Sequence, residues 1–229
     1  MKQTIQYQLI NPSGNLTAIV PGKYSSNKKQ IINQAIFNQN KNVEQIGYVY
    51  EKNSQKYFEM MGNEFSANGC RAAGYYFVNN TSGSTAFFTS GLNQNVEVKI
   101  SDNQSTLIFT KEIKSKFINN KTVIFGTTFY LINSLPDNQK ITRILKSKAK
   151  IIGIMFYQKN IIYPYFFVPT IGKIIFEQSC GSGSIALALF TGQNKIIQPS
   201  GEILIINKEP LSLSGSITNV GNYNVKIKL

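Results

Sequence analysis

Apolar and polar residues alternate in short stretches along most of this chain, and in two places the alternation gives way to a dense run of small and apolar residues. Alternation with a period of two predicts strands with one buried face. Gln3 to Ile10 follows it, ends in the turn signal Asn11-Pro12-Ser13-Gly14-Asn15, and resumes from Leu16 to Val20. Ser26 is the expected cap of a helix reaching about Asn40, with Ile31, Ile32, Ala35 and Ile36 on one side. Strands over Ile46 to Glu51 and Lys56 to Met60 then lead into the first dense run, Gly62 to Gly74, expected to be helical to near Val78. Thr85 to Thr89, Val96 to Ser101 and Ser105 to Thr110 follow as short strands.

The second half repeats the plan. Thr122 to Ile132 predicts a strand, Pro136-Asp137 opens a helix burying Ile141, Ile144 and Leu145, and Lys150 to Phe156 and Ile161 to Val168 predict strands. These lead into the second dense run, Glu177-Gln178-Ser179-Cys180-Gly181-Ser182-Gly183, followed by Ile185 to Phe190. That helix is apolar all round, so strands should enclose it. A turn at Gln198-Pro199-Ser200-Gly201-Glu202 feeds a strand over Ile203 to Asn207, and Leu211 to Ile217 and Asn224 to Leu229 close the chain. Ser66 and Cys180 lie 114 residues apart (180 − 66) in a chain of 229, about half its length, as a duplicated protein would have it. The pattern predicts an α+β fold of two lobes, residues 1–112 carrying Ser66 and 113–229 carrying Cys180, with the last strand able to return to the first lobe.

Composition narrows the chemistry. The net charge is +13, carried almost wholly by dispersed lysines, since Arg71 and Arg143 are the only arginines; a clustered Arg/Lys stripe with exposed aromatics, the mark of a nucleic-acid surface, is missing. No apolar run approaches the roughly 18 residues that cross a bilayer, and the first residues lack the core of a signal peptide, so a cytoplasmic protein is expected. With no histidine, Ser-His and Cys-His pairs and most zinc sites are excluded. Acid and base work falls to Cys, carboxylates, Lys or Tyr. Cys70 and Cys180 are expected to be reduced thiols.

Each dense run is a polar, small-residue approach to a buried helix, whose free N–H groups face whatever lies at its start. A cysteine at such a point gains thiolate character, its pKa falling from about 8.5, although a small buried hydrophobe is the other reading of Cys180. Cys70, one turn beyond Ser66, is expected to be a core thiol, and Arg71 a structural ion pair.

Asn-Pro-Ser-Gly-Asn at 11–15, Met60 with Gly-Asn-Glu-Phe-Ser-Ala-Asn at 62–68, Ser-Cys-Gly-Ser-Gly at 179–183 and Gln-Pro-Ser-Gly at 198–201 resemble the cofactor-independent racemases and epimerases typified by diaminopimelate epimerase. Within them they look most like the histidine racemases of staphylopine-type opine-metallophore biosynthesis. The resemblance implies two pseudo-symmetric lobes, each a mostly antiparallel sheet or barrel around a central helix, often paired as homodimers. It implies two-base racemisation of a free amino acid without pyridoxal phosphate or metal, one thiolate removing the α-proton and a thiol opposite returning one. Cys180 matches one of those cysteines. Asn15, Met60, Ala67, Asn68, Gly69, Glu177, Gly181, Ser182 and Gly183 fall where the family surrounds its substrate.

Ser66 departs from the pattern: it stands where two-thiol members carry their other cysteine, and Ala67 replaces the usual glycine. A serine hydroxyl donates a proton but without an adjacent base hardly removes one. Ser66 is either an introduced replacement or natural divergence, for which Ala67 speaks. Diaminopimelate epimerase proper, a one-base dehydratase or isomerase, and a silent amino-acid-binding homologue are the alternatives to a racemase of histidine or another monoamino acid. Met60 and Thr170-Ile171-Gly172 offer nothing to hold a zwitterionic distal end, which disfavours diaminopimelate.

Overall fold

The computed structural model describes residues 2–145, 152–168 and 173–228. Lys150, the stretch Thr170-Ile171-Gly172 and Leu229 lie outside them. The first strands are β1 (Lys2–Pro12), β2 (Thr17–Pro21), β3 (Gln45–Lys52), β4 (Gln55–Met60), β5 (Gly83–Thr89), β6 (Gln94–Ser101) and β7 (Gln104–Phe109). They pair in chain order, and the last strand, β16 (Leu211–Lys228), pairs with β7 on one side and β1 on the other, closing a ring. Inside the ring lies helix α2 (Ala67–Phe77), which touches every one of those strands.

Tight enclosure accounts for the composition of α2. A Cβ on Gly74 would stand 2.3 Å from Val98 Cγ1, and one on Gly69 would stand 2.8 Å from Met60 Sδ. Larger residues there would force the ring open.

Beyond β16 the sheet continues through β15 (Ile203–Lys208), β14 (Lys195–Ile197), β12 (Ile161–Val168), β11 (Ile152–Gln158), β10 (Thr127–Asn133), β9 (Lys121–Ile124) and β8 (Lys116–Ile118), with β13 (Lys173–Phe176) on β12. Helix α4 (Gly181–Thr191) packs on β9, β10, β11, β14 and β15 and ends at Gly192, whose φ of 83° is the left-handed cap that glycine supplies without strain. Two further helices cover the outside. On α1 (Ser26–Gln39), Ile32 and Ile36 join a core with Tyr7, Ile46 and Val225. On α3 (Asn138–Leu145), Ile141 joins Tyr130, Ile152 and Phe156.

Most pairings are antiparallel, but β2–β3, β4–β5, β10–β11 and β12–β14 are parallel, and a helix joins each pair as a parallel crossover requires. The order strand, outer helix, strand, strand, inner helix, strand therefore occurs twice, with β13 added before the inner helix the second time.

Local differences from the expectation have identifiable causes. The cap of α1 is Ser25 rather than Ser26, held by its carbonyl alone, and Ile31 is exposed. Thr122 to Ile132 is a hairpin, turned at Phe125 and Gly126 with φ of 55° and 71°. The closing segment is one continuous strand, because Thr218 to Asn222 pair with β1 and the single extra residue Val220 is accommodated as a bulge.

Candidate active site

Ser66 caps α2: its backbone is extended and its Oγ accepts the Gly69 N–H at 3.0 Å. Cys180 caps α4 in the same way, its Sγ accepting the Gly183 N–H at 3.4 Å. The two starts meet. The Ala67 N–H donates to Ser182 Oγ at 3.3 Å, and a Cβ on Gly181 would lie 2.9 Å from Asn68 Oδ1 and 3.0 Å from the Ala67 Cβ. Only a residue without a side chain lets the helices approach this closely. A cleft opens above the junction, and both Ser66 and Cys180 line it.

Of the residues singled out in the sequence, Asn15, Asn68, Glu177, Gly181 and Ser182 also line the cleft, whereas Met60, Ala67, Gly69 and Gly183 lie outside its lining. Met60 is 1% exposed, with its sulfur packed under Gly69, and its neighbour Met61 takes the place in the wall. Cys70 is fully buried against Thr89 Oγ1 at 3.3 Å, and burial pushes its thiol up to about 12. It is a core thiol, away from the cleft.

Glu44, Gln45, Glu64, Phe65, Phe166, Ile175 and Ser179 complete the wall. Glu44 and Gln45 carried no signal in the sequence; they reach the cleft because β3 pairs beside β2, next to the turn ending at Asn15. Gln45 Nε2 donates to Asn15 Oδ1 and, at 2.8 Å, to Thr17 Oγ1, which leaves Gln45 Oε1 to accept the Ser66 hydroxyl at 2.8 Å. Ser66 thus contacts an amide and not a base. Asn15 Nδ2 donates to Glu44 at 2.7 Å.

The carboxyls and the thiol are all perturbed. Burial raises Glu44 from 4.5 to about 7, against hydrogen bonds from Asn15 and the Gln178 N–H. Glu177 rises from 4.5 to about 8, chiefly by burial, with the charges of Glu44 and Glu64 adding to it. Burial raises Glu64 as well, and Glu64 Oε2 is enclosed without a hydrogen-bond partner. The helix start was expected to favour a thiolate at Cys180, but the thiol is pushed well above its ordinary range, first by burial and then by the Glu177 carboxyl bonded to it. One N–H from Gly183 does not offset both effects. Burial and their mutual contact thus shift both groups of the pair toward their protonated forms.

The cleft is lined by the starts of both inner helices and by three carboxyl groups, with no lysine or arginine in the lining among the described residues. That suits a zwitterion, its carboxylate at the helix starts and its cationic groups at the carboxyls. Among the described residues, no group of three or more carboxyl or thiol side chains is placed to hold a metal ion, and no helix is long and apolar enough to cross a membrane.

Solved structures with this mixed α+β, sheet-rich fold include a hydroxyproline epimerase from Agrobacterium vitis with bound trans-4-hydroxy-L-proline (TM-score 0.61, 8% identity, 97% of this chain and 92% of that one) and a phenazine biosynthesis protein of the PhzF family from Enterococcus faecalis (TM-score 0.60, 11% identity, 99% and 100%). Together with a family match over residues 4–220, the fold and cleft make the chain an isomerase of the racemase and epimerase class. Residues 4–220 match the family model described as the histidine racemase CntK N-terminal domain, and the chain belongs to that family. Over 99% of both chains it is 23% identical to the histidine racemase of Staphylococcus aureus (strain Mu50 / ATCC 700699).

Proposed function

We propose that the protein inverts the α-carbon of a free amino acid whose side chain can take up a proton, histidine foremost, without pyridoxal phosphate. Cys180 is the thiol base on one face and Ser66 the hydroxyl on the other. The observation that carries this reading is the contact of two capped helix starts beneath one cleft, with Ser66 and Cys180 both in its wall. The substrate carboxylate lies at the helix starts, where negative charge developing toward an enediolate is stabilised. Its ammonium and its protonatable side chain face Glu44, Glu64 and Glu177.

The ammonium lowers the cost of removing one proton from the Cys180–Glu177 pair, so the base forms as the substrate binds. Ser66, hydrogen-bonded to Gln45, supplies a proton to the opposite face more readily than it takes one. Exchange at the Cys180 face is therefore faster than inversion.

The recurring order of strands and helices supports two pseudo-symmetric lobes on the diaminopimelate epimerase plan, divided near residue 112, with β16 returning to the first. Homodimer assembly, a cytoplasmic location and a place in metallophore biosynthesis belong to the same proposal and rest on kinship with the histidine racemases.

Proton NMR of L- and D-histidine in D2O tests the chemistry. Loss of the α-proton signal with the appearance of the other enantiomer is expected. Removing the base costs about 100-fold or more, so Cys180→Ser should abolish the exchange. No exchange with any basic amino acid would leave a binding protein, and elimination of water from a hydroxylated amino acid would indicate a dehydratase.

A further inference from the structure

Glu44, Asn15, Gln45 and Ser66 all line the cleft and are joined by hydrogen bonds that run in one direction. An ionised carboxylate only accepts, so Asn15 turns its Nδ2 to Glu44 Oε2, at 2.7 Å. Asn15 Oδ1 is then left for Gln45, whose Nε2 donates to it and, at 2.8 Å, to Thr17 Oγ1. With both N–H groups of Gln45 used, its Oε1 takes the Ser66 hydroxyl at 2.8 Å. Asn15, Thr17 and Gln45 are buried, where water does not replace these bonds and the orientation of one group sets the next.

The Ser66 oxygen carries one hydrogen. Here it lies on Gln45, and the Gly69 N–H occupies a lone pair at 3.0 Å. A proton leaving Ser66 in this arrangement would set an oxyanion against the Gln45 carbonyl oxygen. A proton on Glu44 reverses the row. The carboxyl then donates to the Asn15 carbonyl, Asn15 to the Gln45 carbonyl, and Gln45 to Ser66 Oγ, each amide turning over in place. Thr17 Oγ1 meets either end of the Gln45 amide, since a hydroxyl both donates and accepts. Ser66 now accepts two N–H groups, which stabilise its oxygen as the freed hydrogen departs.

We propose that Gln45 is a positioning residue for the second face: with Asn15 it relays the charge state of Glu44 to Ser66, withholding the hydroxyl hydrogen when Glu44 is ionised and releasing it when Glu44 is protonated. The proposal rests on the reading that Ser66 faces the α-carbon opposite Cys180. Burial, which raises Glu44 to about 7, places both of its states within reach near neutrality. Glu177 and the Cys180 thiol are the titrating groups that face Glu44, with Glu64 acting on Glu177, and no lysine or arginine lines the cleft among the described residues.

Nitrogen–proton correlation NMR of the side-chain amides tests the relay without substrate. The Asn15 and Gln45 signals, assigned by their loss in Asn15→Ser and Gln45→Met, should shift together with pH around a midpoint at about 7, and should stay still in Glu44→Gln. Histidine in D2O then reads the consequence as the ratio of inversion to exchange with retention, for the enantiomer that Cys180 deprotonates. Both outcomes begin with the Cys180–Glu177 pair, so the titration of that pair cancels in the ratio. The ratio should fall about tenfold as pH rises by about two units centred on the Glu44 transition, and should be level in Glu44→Gln and Gln45→Met. Amide signals that ignore pH, or a ratio with the same slope in both variants, would overturn the proposal, because Asn15 and Gln45 would then only pack the wall. If the amides follow Glu44 and yet no amino acid is exchanged or inverted, the relay exists without a racemisation to serve, and the proposal falls with the reading of Ser66.

Discussion

Glu177→Gln probes the perturbed carboxyls of the cleft through stability alone. The Glu177 carboxyl rises from 4.5 to about 8 in the folded protein because burial, with the Glu44 and Glu64 charges behind it, disfavours its ionised form. Below about pH 4.5 the group is protonated in both folded and unfolded chains and costs nothing. Between 4.5 and about 8 the unfolded chain gives up the proton while the folded one retains it, so stability falls as pH rises and levels off above about 8. At about 1.4 kcal/mol for each tenfold in acidity, the full displacement corresponds to about 5 kcal/mol. Solvent reaching the cleft wall reduces this to about 2–3 kcal/mol. Glutamine has nearly the same shape and no charge to bury. Urea unfolding from pH 5 to pH 9 should therefore show the variant close to the unaltered protein at pH 5 and more stable by about 2–3 kcal/mol at pH 8.5. In thermal unfolding each kcal/mol moves the midpoint by about 2–4 °C for a chain of this size. Curves that stay parallel across this range would refute the reasoning, since they would mean that Glu177 ionises in the folded protein as freely as in the unfolded one.

Ser66→Cys should raise racemisation of histidine at least about tenfold at pH 8 by supplying a group able to take as well as give a proton on the second face; equal rates before and after, assayed from both enantiomers, would show that Ser66 is not placed against the α-carbon. Gly181→Ala inserts a methyl where Leu213 Cδ2 stands at 2.8 Å and Asn68 Oδ1 at 2.9 Å. Forcing the helix starts apart should cost about 1–3 kcal/mol in urea unfolding. Its loss of turnover should exceed that of a comparably destabilised variant far from the cleft.

Much of the secondary structure was legible locally. Period-two alternation marked the strands from β1 to β7, and the two dense runs marked α2 and α4, because small residues at a buried helix start have few other uses. The weak β8 and the hairpin at Phe125 were not legible: β8 has only three residues, and Phe125 adopts positive φ without the glycine or asparagine that signals it. The attention drawn to Met60 illustrates a limit of motif reading. It stands beside the motif, but strand alternation turns its side chain under Gly69 and gives Met61 to the cleft.

What the sequence by itself determined was the local chemistry: a chain without histidine, with a cysteine and a serine each capping a buried helix. Only the tertiary structure decided that those caps share one cleft, that Gln45 and not a base meets Ser66, and that Glu177 and burial together hold a proton on Cys180. The reason is physical. Capping and periodicity act within a few residues, whereas pairings such as β1 with β16 join segments some two hundred residues apart and depend on how the whole sheet closes. The protonation of a thiol likewise follows from what surrounds it in space, which its neighbours in the chain do not specify.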